Sequence, residues 1–365
     1  MLKRHAFLGA LGLSITIGVG CGSSNGPTTS STSSGTGGDT TTTATTTTTS
    51  GTGGAGGAGG TGGEGGTLTC DPGQGTAFAG TKLYFGEGNS GQWKKVGYNL
   101  DGLTSTAGSK DVCQPNAGAF TTTAYPDGDN GIDNSFGKNL LPQIMALYPT
   151  WPDDVNNGIQ GGFFNILLKV LCLPETGDAK NMVTKLFGGT ELGSKPKFDG
   201  TDKWPVSPEL LSDMNDPESS TVLFQHSSIV GTTFNAGPNG TFIISIPIHT
   251  MTDSTSMKLT LYAAHLEMTL SADRKTATGG MIGGVLNTEE FVAEMKKVGY
   301  LLQLCDSPIF DGLITQIRQS SDIMSDGTQD PSKICDGISM GLGFEMAAIQ
   351  IGDVGPANKV GDSCN

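Results

Sequence analysis

Asn239–Leu270 reads NGTFIISIPIHTMTDSTSMKLTLYAAHLEMTL. Phe242, Ile244, Ile246 and Ile248 alternate there with Thr241, Ile243, Ser245 and Pro247, the period of two that half-buries a β-strand. Asn239-Gly240 supplies a tight turn before it, and Pro247, which has no N–H to give to a ladder, places the strand at a sheet edge. In the following strand Leu259, Leu261 and Ala263 occupy one phase, whereas Leu266, Met268 and Leu270 occupy the other. One extra residue, a bulge near Ala263-Ala264, brings both sets onto one face.

Working outward, the antiparallel pattern runs from about residue 220 to 285, and earlier strands are expected at TKLYF (81–85) and FFNILLKVLCL (163–173). Asn287, with Glu290 three residues on, opens a helix that carries Phe291, Met295, Val298, Leu302 and Cys305 at spacings of four and three. Ser307-Pro308 opens a second, with Phe310, Leu313, Ile314 and Ile317 on one face. A shorter helix is expected over Asn139–Tyr148. There is no internal repeat. The spacing predicts a mainly β fold: an antiparallel β-sandwich-like domain over residues 68–365, with a C-terminal helical pair near 287–323, behind a disordered tether. The 57 glycines imply many turns.

Residues 22–67 hold 39 Gly, Ser or Thr, and their only charges are Asp39 and Glu64. Nothing in them offsets the entropy of ordering, so they form a flexible linker of about 40 Å r.m.s. span. Its hydroxyls are candidates for O-linked sugar. Before it, MLKRHAFLGALGLSITIGVGC has a basic start (Lys3, Arg4) and an apolar run, Ala6–Gly20, too short at about 1.5 Å per residue to cross a ~30 Å hydrocarbon core. That is an export signal over 1–20. Val19, Gly20 and Cys21 resemble the lipobox of bacterial lipoproteins, although Gly18 stands where that family prefers Leu. The resemblance covers these twenty-odd residues alone. It implies lipidation of Cys21 with palmitate-type chains, a membrane anchor, and, with Gly22 following, passage to the surface-exposed face of the cell outer membrane.

Removing Lys3 and Arg4 with the signal takes the formal charge from −14 to −16, which excludes nucleic acid as a natural partner. Without Cys21 six cysteines remain: Cys70, Cys113, Cys172, Cys305, Cys335 and Cys364. An even set scattered through an exported Gly-rich domain, with no C-x-x-C pair, reads as three disulfides. The preferred pairs are Cys305 with Cys335, clipping the helices, and Cys70 with Cys364, tying the ends.

Asp127, Asp129 and Asp133 sit at i, i+2 and i+6 in YPDGDNGIDNSFG (125–137), and Asp101 in Asn-Leu-Asp-Gly is placed to complete a shell. Hard oxygen ligands alternating along a tight loop suit a structural calcium ion. The loop is similar to calcium-binding loops but departs from the EF-hand at Gly131 and at Lys138, which stands where the last ligand should be. The plainer reading is a turn whose side chains bond their own backbone. Gly337-Ile-Ser339-Met-Gly341 matches the nucleophile elbow, yet all four histidines precede Ser339, the wrong order for a hydrolase, so a Gly-rich strand is the expected reading. Gly86–Gly91 imitates a dinucleotide loop without the apolar helix that should follow it. His226, His249 and His265 fall in the β region as strand-surface residues or, if they converge, metal ligands, and His265 with Glu267 could pair as acid and base. Trp93, Trp151 and Trp204 are expected in the core rather than as a sugar platform.

No intact catalytic set emerges. The expectation is a surface-anchored lipoprotein, a non-enzymatic domain that binds a glycan or protein ligand or serves the envelope, stabilised by calcium. The alternative is a secreted hydrolase acting on polysaccharide through a carboxylate pair.

Overall fold

The computed structural model describes residues 74–87, 91–236, 240–249, 254–357 and 360–365. The export signal, Cys21, the linker and Cys70 lie outside them. The described residues form ten strands: β1 (Gly75–Tyr84), β2 (Asn165–Leu171), β3 (Ala179–Gly189), β4 (Lys203–Val206), β5 (Val222–Val230), β6 (Thr233–Asn235), β7 (Gly240–His249), β8 (Ser254–Leu270), β9 (Thr276–Asn287) and β10 (Gly337–Val354). The helices are α1 (Thr121–Ala124), α2 (Leu141–Leu147), α3 (Trp151–Gly161), α4 (Thr288–Leu301) and α5 (Pro308–Gln319).

Eight strands close a ring in the order β1-β2-β3-β5-β6-β8-β9-β10 and back to β1, every pairing antiparallel. Because chain neighbours are also sheet neighbours, this is an up-and-down barrel. The expected sandwich is therefore corrected to a barrel. The closing element is β10, which pairs with β9 along one side and with β1 along the other. Alternation along each strand is the same in a sandwich and a barrel, so only this last pairing separates them.

Interior positions are filled by side chains. Ile338, Met340, Leu342, Phe344 and Met346 of β10 point into the main core with Ile282 and Leu286 of β9 and Phe78 of β1. A smaller core lies outside the ring, where Trp204 and Val206 of β4 and Leu211 cover Ala77, Ala79, Leu167, Phe187 and Ile349. This second cover explains why NILLKVL in β2 is apolar on both faces. Trp204 is fully buried and donates its indole N–H to the Thr190 carbonyl, 2.8 Å away.

Phe242, Ile244 and Ile246 are buried, and among the described residues β7 pairs only with β8, in keeping with the proline at Pro247. The bulge in β8 falls where the phase change requires it. Registers with β7 and β9 both slip between Leu261 and His265, Ala263 takes a left-handed φ of 47°, and Ala264, Leu266, Met268 and Leu270 turn inward. Ala263→Val, which puts a β-branched side chain into that conformation, is expected to lower stability by about 1–2 kcal/mol in a urea melt, and Ala263→Gly to be tolerated. Equal effects of the two would show that the bulge is not held in solution.

The α4–α5 segment is inserted between β9 and β10, so it does not end the domain. Asn287 caps α4 by accepting from the N–H groups of Glu289 and Glu290. The preferred cysteine pairs are also corrected: Cys113 bonds Cys335, and Cys305 bonds Cys364. Beyond α5 the chain carries Cys335 away to the loop at residues 111–116, where Gln114 and Ile334 form a parallel bridge. The C-terminal tail instead returns past α4, and the Cys364 N–H donates to the Lys296 carbonyl. Cys172 is disulfide-bonded too.

Candidate functional site

The outward positions of β10 are small: Gly337, Ser339, Gly341 and Gly343 alternate with the large inward residues. Irregular segments lie directly on this stripe. A Cβ on Gly341 would overlap the Val96 carbonyl oxygen, and one on Gly283 of β9 would stand 2.7 Å from the Tyr98 ring. Gly341 and Gly283 are thus spaces for an outer layer. Gly341→Ala is expected to cost about 1–3 kcal/mol by lifting that layer, read as a lower urea midpoint.

Ser339, 0% exposed, is one anchor of the layer. Its hydroxyl donates to Asp322 Oδ2 at 2.5 Å and accepts from the Ser135 N–H at 2.8 Å, and its own N–H donates to Asp322 Oδ1. The G-x-S-x-G motif is accordingly a stretch of continuous strand with a buried structural serine. Asn134 is a second anchor, accepting from Gly137 and Gly341 N–H groups and donating to the Val96 carbonyl.

Between these anchors, three of the four aspartates singled out for calcium come together. Asp133, 3% exposed, accepts from the Leu100 N–H at 2.7 Å. Asp127 accepts from the Ser105 N–H and acts electrostatically on Asp133. Asp101 accepts from Gln329 at 2.8 Å and acts electrostatically on both. Asp129 stays outside, exposed on the turn Asp129–Gly131. The carboxylates of Asp127 and Asp133 bond the backbone of the 100–105 loop, so the plain local-turn reading holds only in part. Asp322 is the member that the sequence reading missed. It arrives from the segment after α5, and no local pattern around it announces a partner on β10 or near Asp133.

Burial together with neighbouring carboxyl groups raises the proton affinity of Asp127, Asp133 and Asp322. Burial pushes Asp133 up to about 9, with Asp101, Asp322 and Asp127 adding to the rise. Burial lifts Asp322 to about 7 against the two bonds from Ser339, and lifts Asp127 to about 6 against the bond from Ser105. Lys138 is lowered by burial, and Asp322 and Asp127 oppose that shift. Its ammonium donates to the Pro126 carbonyl at 2.8 Å and lies over the Trp93 ring. The residue at the failed calcium-ligand position thus supplies a cation of its own. The Ser105 hydroxyl is buried without a hydrogen-bond partner.

Among the described residues, no three His, Cys, Asp or Glu side chains are arranged to hold a metal ion. His226 is exposed and near Asn181, whereas His265 stacks edge-on against Tyr98 and is lowered by burial, against Glu267. The three tryptophans are separate: Trp93 beneath Lys138, Trp151 against Phe85, Trp204 against Phe198. An open groove of about 610 Å³ runs past Asp101, with Asp111, Asp326 and Gln329 also on its walls. Among the described residues no helix is long and apolar enough to cross a membrane.

No family model, curated protein or solved structure matches this chain. The site is therefore read from its own chemistry.

Proposed function

We propose that this chain is a lipid-anchored domain of the bacterial cell envelope, carried to the outer membrane and held out on its linker to bind a glycan or protein or to serve the envelope itself, without catalysis. The observation that supports this reading most is the serine of the G-x-S-x-G motif: it is built into the barrel wall with its hydroxyl committed to Asp322. The filled barrel interior and the disulfides suit a rigid exported module. Labelled palmitate fed to expressing cells is expected to enter the wild type and not Cys21→Ser, read by gel fluorography. Equal labelling of both would remove the anchor and with it the outer-membrane assignment.

The calcium reading places the ion among Asp101, Asp127 and Asp133, where it must displace protons and compete with Lys138. A melt with and without chelator tests it. The polysaccharide-hydrolase reading draws on one observation, the raised carboxyl groups of Asp127 and Asp133 beside the groove at Asp101, a property that suits a general acid. Glycan cleavage that disappears in Asp127→Asn, with folding intact, would favour it over the binding role.

A further inference from the structure

We propose that Cys172 is cross-linked to Cys70, which fastens the chain entering β1 to the end of β2 and leaves Cys21 as the one cysteine of seven without a disulfide partner. The pairing holds whether or not Cys21 is acylated; the use of a clamp at that point rests on the anchored reading above.

Cys172, at the exit of β2, is disulfide-bonded, and the Cys113–Cys335 and Cys305–Cys364 bonds engage four of the other six cysteines. Cys21 and Cys70, both outside the described residues, remain as partners. The register of the wall chooses between them. Gly75 of β1 lies opposite Leu171 of β2, so Cys172 stands one residue past the first paired position of β1. A disulfide needs its Cα atoms about 4.4–6.8 Å apart. Cys70 precedes Gly75 by five residues, a span of at most about 18 Å, which keeps its thiol close to Cys172. Cys21 precedes Gly75 by 54 residues and searches a far larger volume. Loop closure that falls as the 3/2 power of length favours Cys70 by about 35-fold. Cys172 also takes a left-handed φ of 62°, which a residue with a Cβ keeps only where something holds it. In forming the bond each thiol gives up a proton, and the two electrons pass to a disulfide-donating oxidant of the export compartment, whose own disulfide is reduced to two thiols.

The bond sits where the ring is most easily opened. β1 closes the barrel, pairing with β2 on one side and β10 on the other. A pull on the linker alone would peel β1 from Gly75 onward, one residue pair at a time. Through the bond the pull passes into β2, which β1 and β3 hold on both sides.

The test is a disulfide map of the full-length exported protein, thiol-blocked, digested at acid pH without reduction and read by mass spectrometry. A linked peptide pair holding Cys70 and Cys172 is expected, lost in Cys70→Ser and kept in Cys21→Ser. Cys172 linked to Cys21, or recovered as a blocked free thiol, would overturn the proposal. The map is independent of palmitate labelling, so failure of the anchor and failure of the pairing are read separately. In Cys70→Ser with Cys172→Ser, hydrogen exchange is expected to show β1 losing protection at least about fivefold while β5–β6 keeps it. Equal protection of β1 with and without the bond would overturn the clamp.

Discussion

Replacing Asp133 with asparagine is expected to raise stability at pH 8 by about 2 kcal/mol or more and to change it little below about pH 4. The amide keeps an oxygen for the Leu100 N–H and, like the protonated acid, carries no charge. The sign follows from linkage. Asp133 in the folded chain holds its proton up to about 9, well above its ordinary value of 3.8. Between those limits the folded state binds a proton that the unfolded state has lost. The contribution of Asp133 to stability is therefore greatest below about pH 4 and falls as pH rises, by up to about 1.4 kcal/mol per unit. Asp127 and Asp322 act in the same sense, but their contributions are exhausted by about 6 and about 7. The fall should be steepest from about pH 4 to 6 and continue more gently toward 9 on Asp133 alone. Lys138, lowered by burial, works the other way and only on its alkaline side. Urea melts of both proteins from pH 5 to 9 check this; parallel curves would mean that Asp133 is not the group responsible.

The second large effect is expected from opening Cys113–Cys335, as Cys113→Ala with Cys335→Ala. The bond spans 222 residues, for which chain entropy alone allows about 5 kcal/mol, with about 2–5 expected in practice. It also fastens the outer layer, because Gln114 exchanges backbone hydrogen bonds with Lys333 and Cys335, and the Cys113 N–H donates to Gln329, the partner of Asp101. The double variant should melt earlier than the wild type. A variant that melts with the wild type would argue that the pairing does not form in the native protein.

How far the sequence could be read depends on the range of the interactions. The β7–β8 alternation and the bulge at Ala263 are legible because they are settled by neighbours along the strand and by one face of burial. Barrel closure is not, because β10 meets β1 only after the whole chain has turned around the ring, and nothing in IQIG or GTAF names its partner. The cysteine pairs fail for the same reason: Cys305 and Cys335 are near in sequence, but the path beyond α5 separates them. At the candidate site, Asp127, Asp133 and Asp101 are legible as acidic loops whose shape favours close approach. Asp322 is not, since its role comes from Ser339 on a distant strand. Lys138 carried the most overlooked signal, a cation at a position that a calcium loop must fill with an acid.

The central claim at the candidate site is that burial against the barrel wall raises the proton affinity of its aspartates, and a carboxyl-carbon NMR titration of the metal-free oxidised protein addresses it directly, with Asp133→Asn assigning the signal. The account predicts one aspartate, absent from the variant spectrum, titrating near 9. Asp127, Asp133 and Asp322 all titrating in the ordinary aspartate range, below about 5, would contradict it.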